Sequence, residues 1–210
     1  MRVVELFADL WCPYTHVGLR RLVKQRRRLG RHDVVVRVRA WPLELDNAEA
    51  LSPSLVAEEI QALREAAAPE LFQGFDPSRF PSTTLPALAL AAGAYRRDQR
   101  RGEQISLALR TALFEEGRDI ADPAELTAIA AGAGVGPPGG EDEARVLDDW
   151  QEGRRRGVIG SPQFYVDGQS FFCPTLSISR VDGHLQVTAD PEGFTAFVDA
   201  AFGPPVPAWA

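Results

Sequence analysis

Apolar positions along the chain change period twice. Val3 to Ala8 is a short, β-prone apolar run, the pattern of a buried strand. After Cys12-Pro13-Tyr14-Thr15, apolar residues at Val17, Leu19, Leu22, Val23 and Leu29 recur at helical spacing. Arg20, Arg21, Lys24, Arg27 and Arg28 occupy the other face, and Gly30 stands where the helix should stop. Val34 to Ala40 alternates valine with arginine, which predicts a second strand. A strand, helix and strand with so short a crossover make a right-handed βαβ unit with parallel strands.

From about Ser52 to Gly157 the pattern is helical. Pro53 opens a helix carrying Leu55, Val56, Ile60 and Leu63, and Thr84-Leu85-Pro86 opens an alanine-rich one that ends near Tyr95. Gln104 to Glu116 carries Ile105, Leu109, Leu113 and Phe114. Asp122-Pro123-Ala124-Glu125 is a capping-box signature with proline at the first helical position. Gly132 to Gly140 reads as a glycine- and proline-rich linker, and a further helix runs from about Glu141 to Arg156.

Strands then return. Gln163-Phe164-Tyr165-Val166, Asp167-Gly168 and Gln169-Ser170-Phe171-Phe172 form a hairpin, because Asp-Gly suits a type I′ turn. A second Asp-Gly, Asp182-Gly183, joins Ser177–Val181 to His184–Thr188. Asp190 and Pro191 begin a last helix with Phe194, Phe197, Val198 and Ala201 on its apolar face, and the proline-rich tail after Gly203 cannot continue it. The order βαβ, helical block, ββα predicts an α/β protein in which the flanks share one sheet. Residues 1–51 and 158–203 would form the sheet domain, 52–157 an all-helical insertion and 204–210 a tail.

Composition narrows the function. Of 210 residues 45% are hydrophobic and 25% charged, with a net charge of −6, an ordinary balance for a globular protein that argues against nucleic acid as the main partner. No run approaches the roughly 20 apolar residues of a membrane span. The first residues lack the apolar core and cleavage site of a secretory leader, so the expected location is cytoplasmic. Two cysteines, Cys12 and Cys173, are too few for a disulfide scaffold or a zinc site, and no metal is expected.

Cys12 falls between a strand and a helix start, where free N–H groups and the helix dipole favour an anion. A thiol there is expected to have a lowered pKa. Pro13 fixes the first turn, Thr15 can turn its hydroxyl back to the sulfur, and His16 is a candidate proton carrier. Gly160-Ser161-Pro162 opens the return hairpin, and a proline there marks either an ordinary trans turn or a cis bond that aims the Ser161 backbone across the sheet.

Together these motifs resemble the thioredoxin fold and, within it, the DsbA-like family: FrnE-type oxidoreductases, 2-hydroxychromene-2-carboxylate isomerases and kappa-class glutathione transferases. The matching residues are Asp9-Leu10-Trp11-Cys12-Pro13-Tyr14, Trp41-Pro42-Leu43-Glu44-Leu45, Leu113 to Ile120, Leu126 to Ala130, and Val158 to Val166. The resemblance implies a thioredoxin fold with an inserted all-helical subdomain. It also implies a nucleophilic thiol at Cys12, and a platform of Ser161 and Pro162 that, with Trp11, Pro13 and Tyr14, holds a bound thiol or peptide. No permanently bound cofactor is implied; glutathione or another low-molecular-weight thiol would serve as exchange partner. Thr15 stands where the family's oxidoreductases carry their second cysteine, which removes the Cys-x-x-Cys disulfide.

Counting back from the hairpin turn, Val166 faces Gln169, Phe164 faces Phe171 and Pro162 faces Cys173. If Pro162 lies against Cys12, as the family implies, Cys173 comes close to Cys12. Two readings follow: a displaced resolving cysteine or disulfide partner, and a buried apolar residue beside Phe171 and Phe172. The expected function is a thiol–disulfide oxidoreductase with Cys12 as nucleophile, acting on a thiol, a disulfide or a small electrophile, as a monomer or homodimer. A thiol-dependent isomerase or transferase, and a non-catalytic redox-sensing module, are the alternatives.

Other candidates have two readings each. Asp9 is either an exposed strand-end carboxylate or a proton acceptor near the site. The basic run Arg20 to Arg31 is a solvated helix face or an attractor of anionic thiols. Tyr14, Trp41 and Phe172 line an apolar groove by the thiol or pack in the core. His32 and His184 are expected at the surface.

Overall fold

The structure, a computed structural model, describes residues 2–203; the 204–210 tail lies outside the described residues. Strand β1 (Arg2–Ala8) leads through α1 (Pro13–Arg28) to β2 (Val34–Ala40), and the two strands pair in parallel, Arg2 with Val34 through Ala8 with Ala40. The chain then passes through α2 (Leu43–Asp46), α3 (Pro53–Ala66), α4 (Leu85–Arg97), α5 (Gln99–Glu116), α6 (Pro123–Gly132) and α7 (Gly140–Arg155) before the sheet resumes. The α5 helix starts five residues before the predicted Gln104, because the Asp98 side chain caps it by accepting from the Arg100 and Arg101 amides.

β3 (Gln163–Val166) pairs antiparallel with β1, and β4 (Gln169–Phe172) pairs with β3, giving the sheet order β2-β1-β3-β4. Asp167 and Gly168 both have positive φ, as a type I′ turn requires. The second hairpin, β5 (Leu176–Val181) and β6 (His184–Ala189), does not join this sheet. Its separation corrects the expectation of one shared sheet. Cys173 takes φ 44°, Pro174 follows, and the chain turns away so that β6 packs against α3. Helix α8 (Pro191–Phe202), capped by Asp190, lays Phe197 against Phe164 of β3, their ring centroids 4.6 Å apart.

One apolar cluster fills the helical block and reaches Cys12, Tyr14 and Cys173; another lies under the sheet around Val4, Leu6, Leu22 and Phe164. The basic face of α1 is only partly solvated. Arg21 donates to the carbonyls of Ala67 and Thr175, and Arg26 pairs with Glu103 of α5. His32 and His184 are exposed. Among the described residues no helix is long and apolar enough to cross a membrane.

Candidate active site

Cys12 is the N-cap of α1, with Pro13 in the first turn, and the residue is only 3% exposed. Its thiol donates to the Ser161 carbonyl at 3.1 Å, and the Ser161–Pro162 peptide is cis. The Ser161 hydroxyl accepts from the Asp9 amide at 3.0 Å and lies 2.9 Å from Thr15 Oγ1. The Ser161 hydroxyl, accepting from the Asp9 amide with one lone pair, shares a hydrogen bond with Thr15 in which either hydroxyl can donate. Residues 12, 15, 161 and 162 therefore meet at the junction of β1, α1 and β3, although most of the chain separates them in sequence.

The expected lowering of the Cys12 pKa is not what this environment produces. Burial pushes the thiol up; hydrogen bonds from Thr15 and Ser161 pull it back only in part, and the Glu59 carboxylate adds to the rise. A carbonyl facing the sulfur also favours the protonated form. Desolvation here outweighs the helix start.

Cys173 sits where the hairpin count puts it, its amide donating to the Pro162 carbonyl at 3.0 Å. The bridge to Cys12 is nevertheless absent, since both cysteines are free. Burial, with the neighbouring Cys12, pushes the Cys173 thiol up to about 12 against the pull of Arg21.

Burial separates the readings of the remaining candidates: Trp41 takes its core reading, and Asp9 is not an exposed strand-end carboxylate. His16 is buried and its Nε2 lies 2.6 Å from Glu115 Oε1, with Phe72 and Phe114 against the ring, so it is engaged in the helical block; burial lowers its pKa. Trp11 is buried, stacks on Phe80 and donates to the Pro81 carbonyl at 3.0 Å, which removes it from any substrate surface. Trp41 packs against Phe7 and Val158 in a cluster separate from that of Cys12, while Phe172 is exposed beside Gly160. Asp9 is fully buried: it accepts from the Trp11 amide at 2.7 Å, the Leu43 amide at 2.6 Å and the Thr84 hydroxyl at 3.3 Å. Burial raises its carboxyl to about 6 in spite of those bonds and of nearby Arg110.

Sequence reasoning missed Arg110 and Glu59. Arg110 is buried and donates to the Asp9 carbonyl at 3.0 Å, holding the strand end that presents Cys12. Glu59 lies near Tyr14 and Cys12. A signal for it existed: Glu59 falls on the Val56–Ile60–Leu63 stripe of α3, where an apolar residue is expected. Among the described residues no group of three or more His, Cys, Asp or Glu could hold a metal ion.

Comparison with known proteins matches residues 3–186 to the DSBA-like thioredoxin domain. The chain is also similar to a probable DsbA oxidoreductase from Streptomyces coelicolor, with 20% identity, TM-score 0.64, and coverage of 99% of this chain and 92% of that one. The cytosolic disulfide reductase DsbM from Pseudomonas aeruginosa, also solved with GSH, aligns with 17% identity and TM-score 0.60 over 96% and 93% of the two chains. A 2-hydroxychromene-2-carboxylate isomerase aligns with 12% identity and TM-score 0.54 over 81% and 88%. The curated proteins give no match.

Proposed function

The chain belongs to the DSBA-like thioredoxin family, and from that premise we propose that it is a thiol–disulfide oxidoreductase in which Cys12 alone forms the covalent intermediate. The observation that carries this is the Cys12 thiol against the Ser161 carbonyl before a cis proline, with the Thr15 hydroxyl where a second thiol would stand. Cys12 thiolate attacks one sulfur of a disulfide, the new S–S bond forms as the old one breaks, and the electron pair leaves on the expelled thiolate. Thr15 cannot displace the bound half, so a second, external thiol attacks the mixed disulfide and regenerates Cys12.

Glutathione or a thiol of similar size suits that role, as the GSH complex of the DsbM neighbour suggests for a related fold. Cys173, whose thiol is free and forms no bridge to Cys12 in this conformation, is not required for that step. The sheet unit and the helical block 52–157 would act together, since Cys12 lies at the edge of the cluster that fills the block.

Mass spectrometry of the reduced chain after oxidised glutathione tests the reading. One glutathione adduct on Cys12 is expected, absent in Cys12→Ser and retained in Cys173→Ser. No adduct on wild type, or an undiminished adduct in Cys12→Ser, would sink it.

A further inference from the structure

Basic side chains crowd the middle and end of α1, in a chain whose net charge is −6. Arg20, Lys24 and Arg27 are exposed and Arg21 is half-buried. All four line a cavity of about 670 Å³ between α1, α5 and the segment after α3, a size within the range of small-molecule pockets. Among the described residues none of the four forms an ion pair. Arg21 is fixed by neutral partners, the carbonyls of Thr175 at 2.8 Å and Ala67 at 2.7 Å, so its charge is oriented without being cancelled. Arg26 of the same helix is the contrast: Glu103 answers its charge, and it stands outside the cavity. Two carboxylates border the cavity and offset half of its positive charge. Glu115 lies 2.6 Å from His16 Nε2, and Glu70 is exposed. The rest of the lining is apolar, with Val23 buried and Leu71 and Leu107 half-buried.

We propose that this cavity binds an organic anion with an apolar body. Its carboxylate, sulfonate or phosphate head sits among the guanidinium and ammonium groups, held by charge-assisted hydrogen bonds. Its body covers Val23, Leu71 and Leu107 and takes their surface out of water. The two halves of the lining select this class together. An inorganic anion would satisfy the cations and leave the apolar surface wet. A neutral apolar molecule would cover that surface and strip water from cations that it cannot pair. The site stands apart from the thiol, since Arg20 and Arg27 follow Cys12 along one helix by about 12 and 22 Å.

Three probes separate head from body in titrations of the reduced full chain, read by fluorescence and calorimetry. Anilinonaphthalene sulfonate carries both parts, phenylnaphthylamine is the same body without the charge, and sulfate is the charge without the body. The sulfonate dye should bind, phenylnaphthylamine should bind about tenfold or more weakly, and sulfate should displace the dye only when in large excess. Arg20→Glu and Arg27→Glu, both at exposed positions, should each weaken the dye about tenfold. Arg28→Glu makes the same charge change on the same helix, but lines a neighbouring hollow beside Phe194. In salt that screens charges beyond about 8 Å it should leave dye binding within about twofold of wild type. Equal losses in all three variants, or none in Arg20→Glu and Arg27→Glu, overturn the proposal. So does phenylnaphthylamine binding as tightly as the dye, or sulfate displacing it at equal concentration. Cys12 should take its glutathione adduct in both cavity variants as in wild type, so failure of this site and failure of the nucleophile reading are separate results.

Discussion

Asp9 is the residue whose chemistry the sequence leaves most open. Two amides and a hydroxyl converge on a carboxyl that burial still raises from 3.8 to about 6. The folded state therefore binds a proton that the unfolded chain has already released between those values. Stability from this group is complete below about 4 and is lost as pH rises through 6. At about 1.4 kcal/mol per unit, the shift from 3.8 to about 6 amounts to a loss on the order of 3 kcal/mol. His16, whose pKa burial lowers, acts with the opposite sign, so the measurement is a difference. Denaturant unfolding of wild type and Asp9→Asn across pH 4 to 7 should show wild type losing its stability relative to the variant as pH rises. A flat or rising difference would mean that Asp9 is charged throughout that range.

At the scale of elements, α7 meets the sheet through a glycine. A Cβ on Gly153 would lie 2.5 Å from Trp41 Cζ3 and 3.0 Å from Phe7 Cδ1. Alanine is the better helix former by about 1 kcal/mol, but overpacking costs about 1–3 kcal/mol. Aromatic rings wedged between helix and sheet have little room to yield. Gly153→Ala should therefore lower the melting temperature by a few degrees, and a rise would show that the rings move aside. The elements themselves were largely legible, because each rests on local signals: the alternation of Val34 to Ala40, the Asp-Gly turn at Asp167, the prolines that open α3, α6 and α8. What local signals cannot carry is partnership over distance. Glu115 lies 99 residues from His16, and Thr84 lies 75 from Asp9. The fate of β5 and β6 turned on the left-handed backbone at Cys173, where neither residue type nor hairpin count warns of it. At the site, sequence could suggest that Ser161 and Cys12 meet. It could not weigh how deeply the thiol would be buried, and that burial reversed the expected direction of its pKa.

At the scale of the molecule, the helical block completes the sheet. β2 is an edge strand, with outward backbone groups that would otherwise stand open to pairing with another chain. Helices cover them. Glu103 of α5 accepts from the Val36 amide at 2.8 Å, the Tyr95 hydroxyl of α4 donates to the Val36 carbonyl at 3.0 Å, and Arg26 of α1 donates to the Val34 carbonyl at 3.1 Å while pairing with Glu103. One carboxylate thus ties α1, α5 and β2 together. Glu103→Ala takes the carboxylate from a largely buried guanidinium, which keeps only its bond to the Val34 carbonyl, and leaves the Val36 amide without its acceptor; losing one partner of such a pair costs about 3–5 kcal/mol. At roughly 2–4 °C per kcal/mol for a chain of this size, the melting temperature should fall by about 10 °C. Because the lost bonds join the block to the sheet, far-ultraviolet helix signal and near-ultraviolet tryptophan signal should still melt together at the lower temperature. Helices that unfold first, with the sheet's aromatic signal intact at the wild-type temperature, would show instead that the block is an independent appendage whose contacts with β2 contribute little.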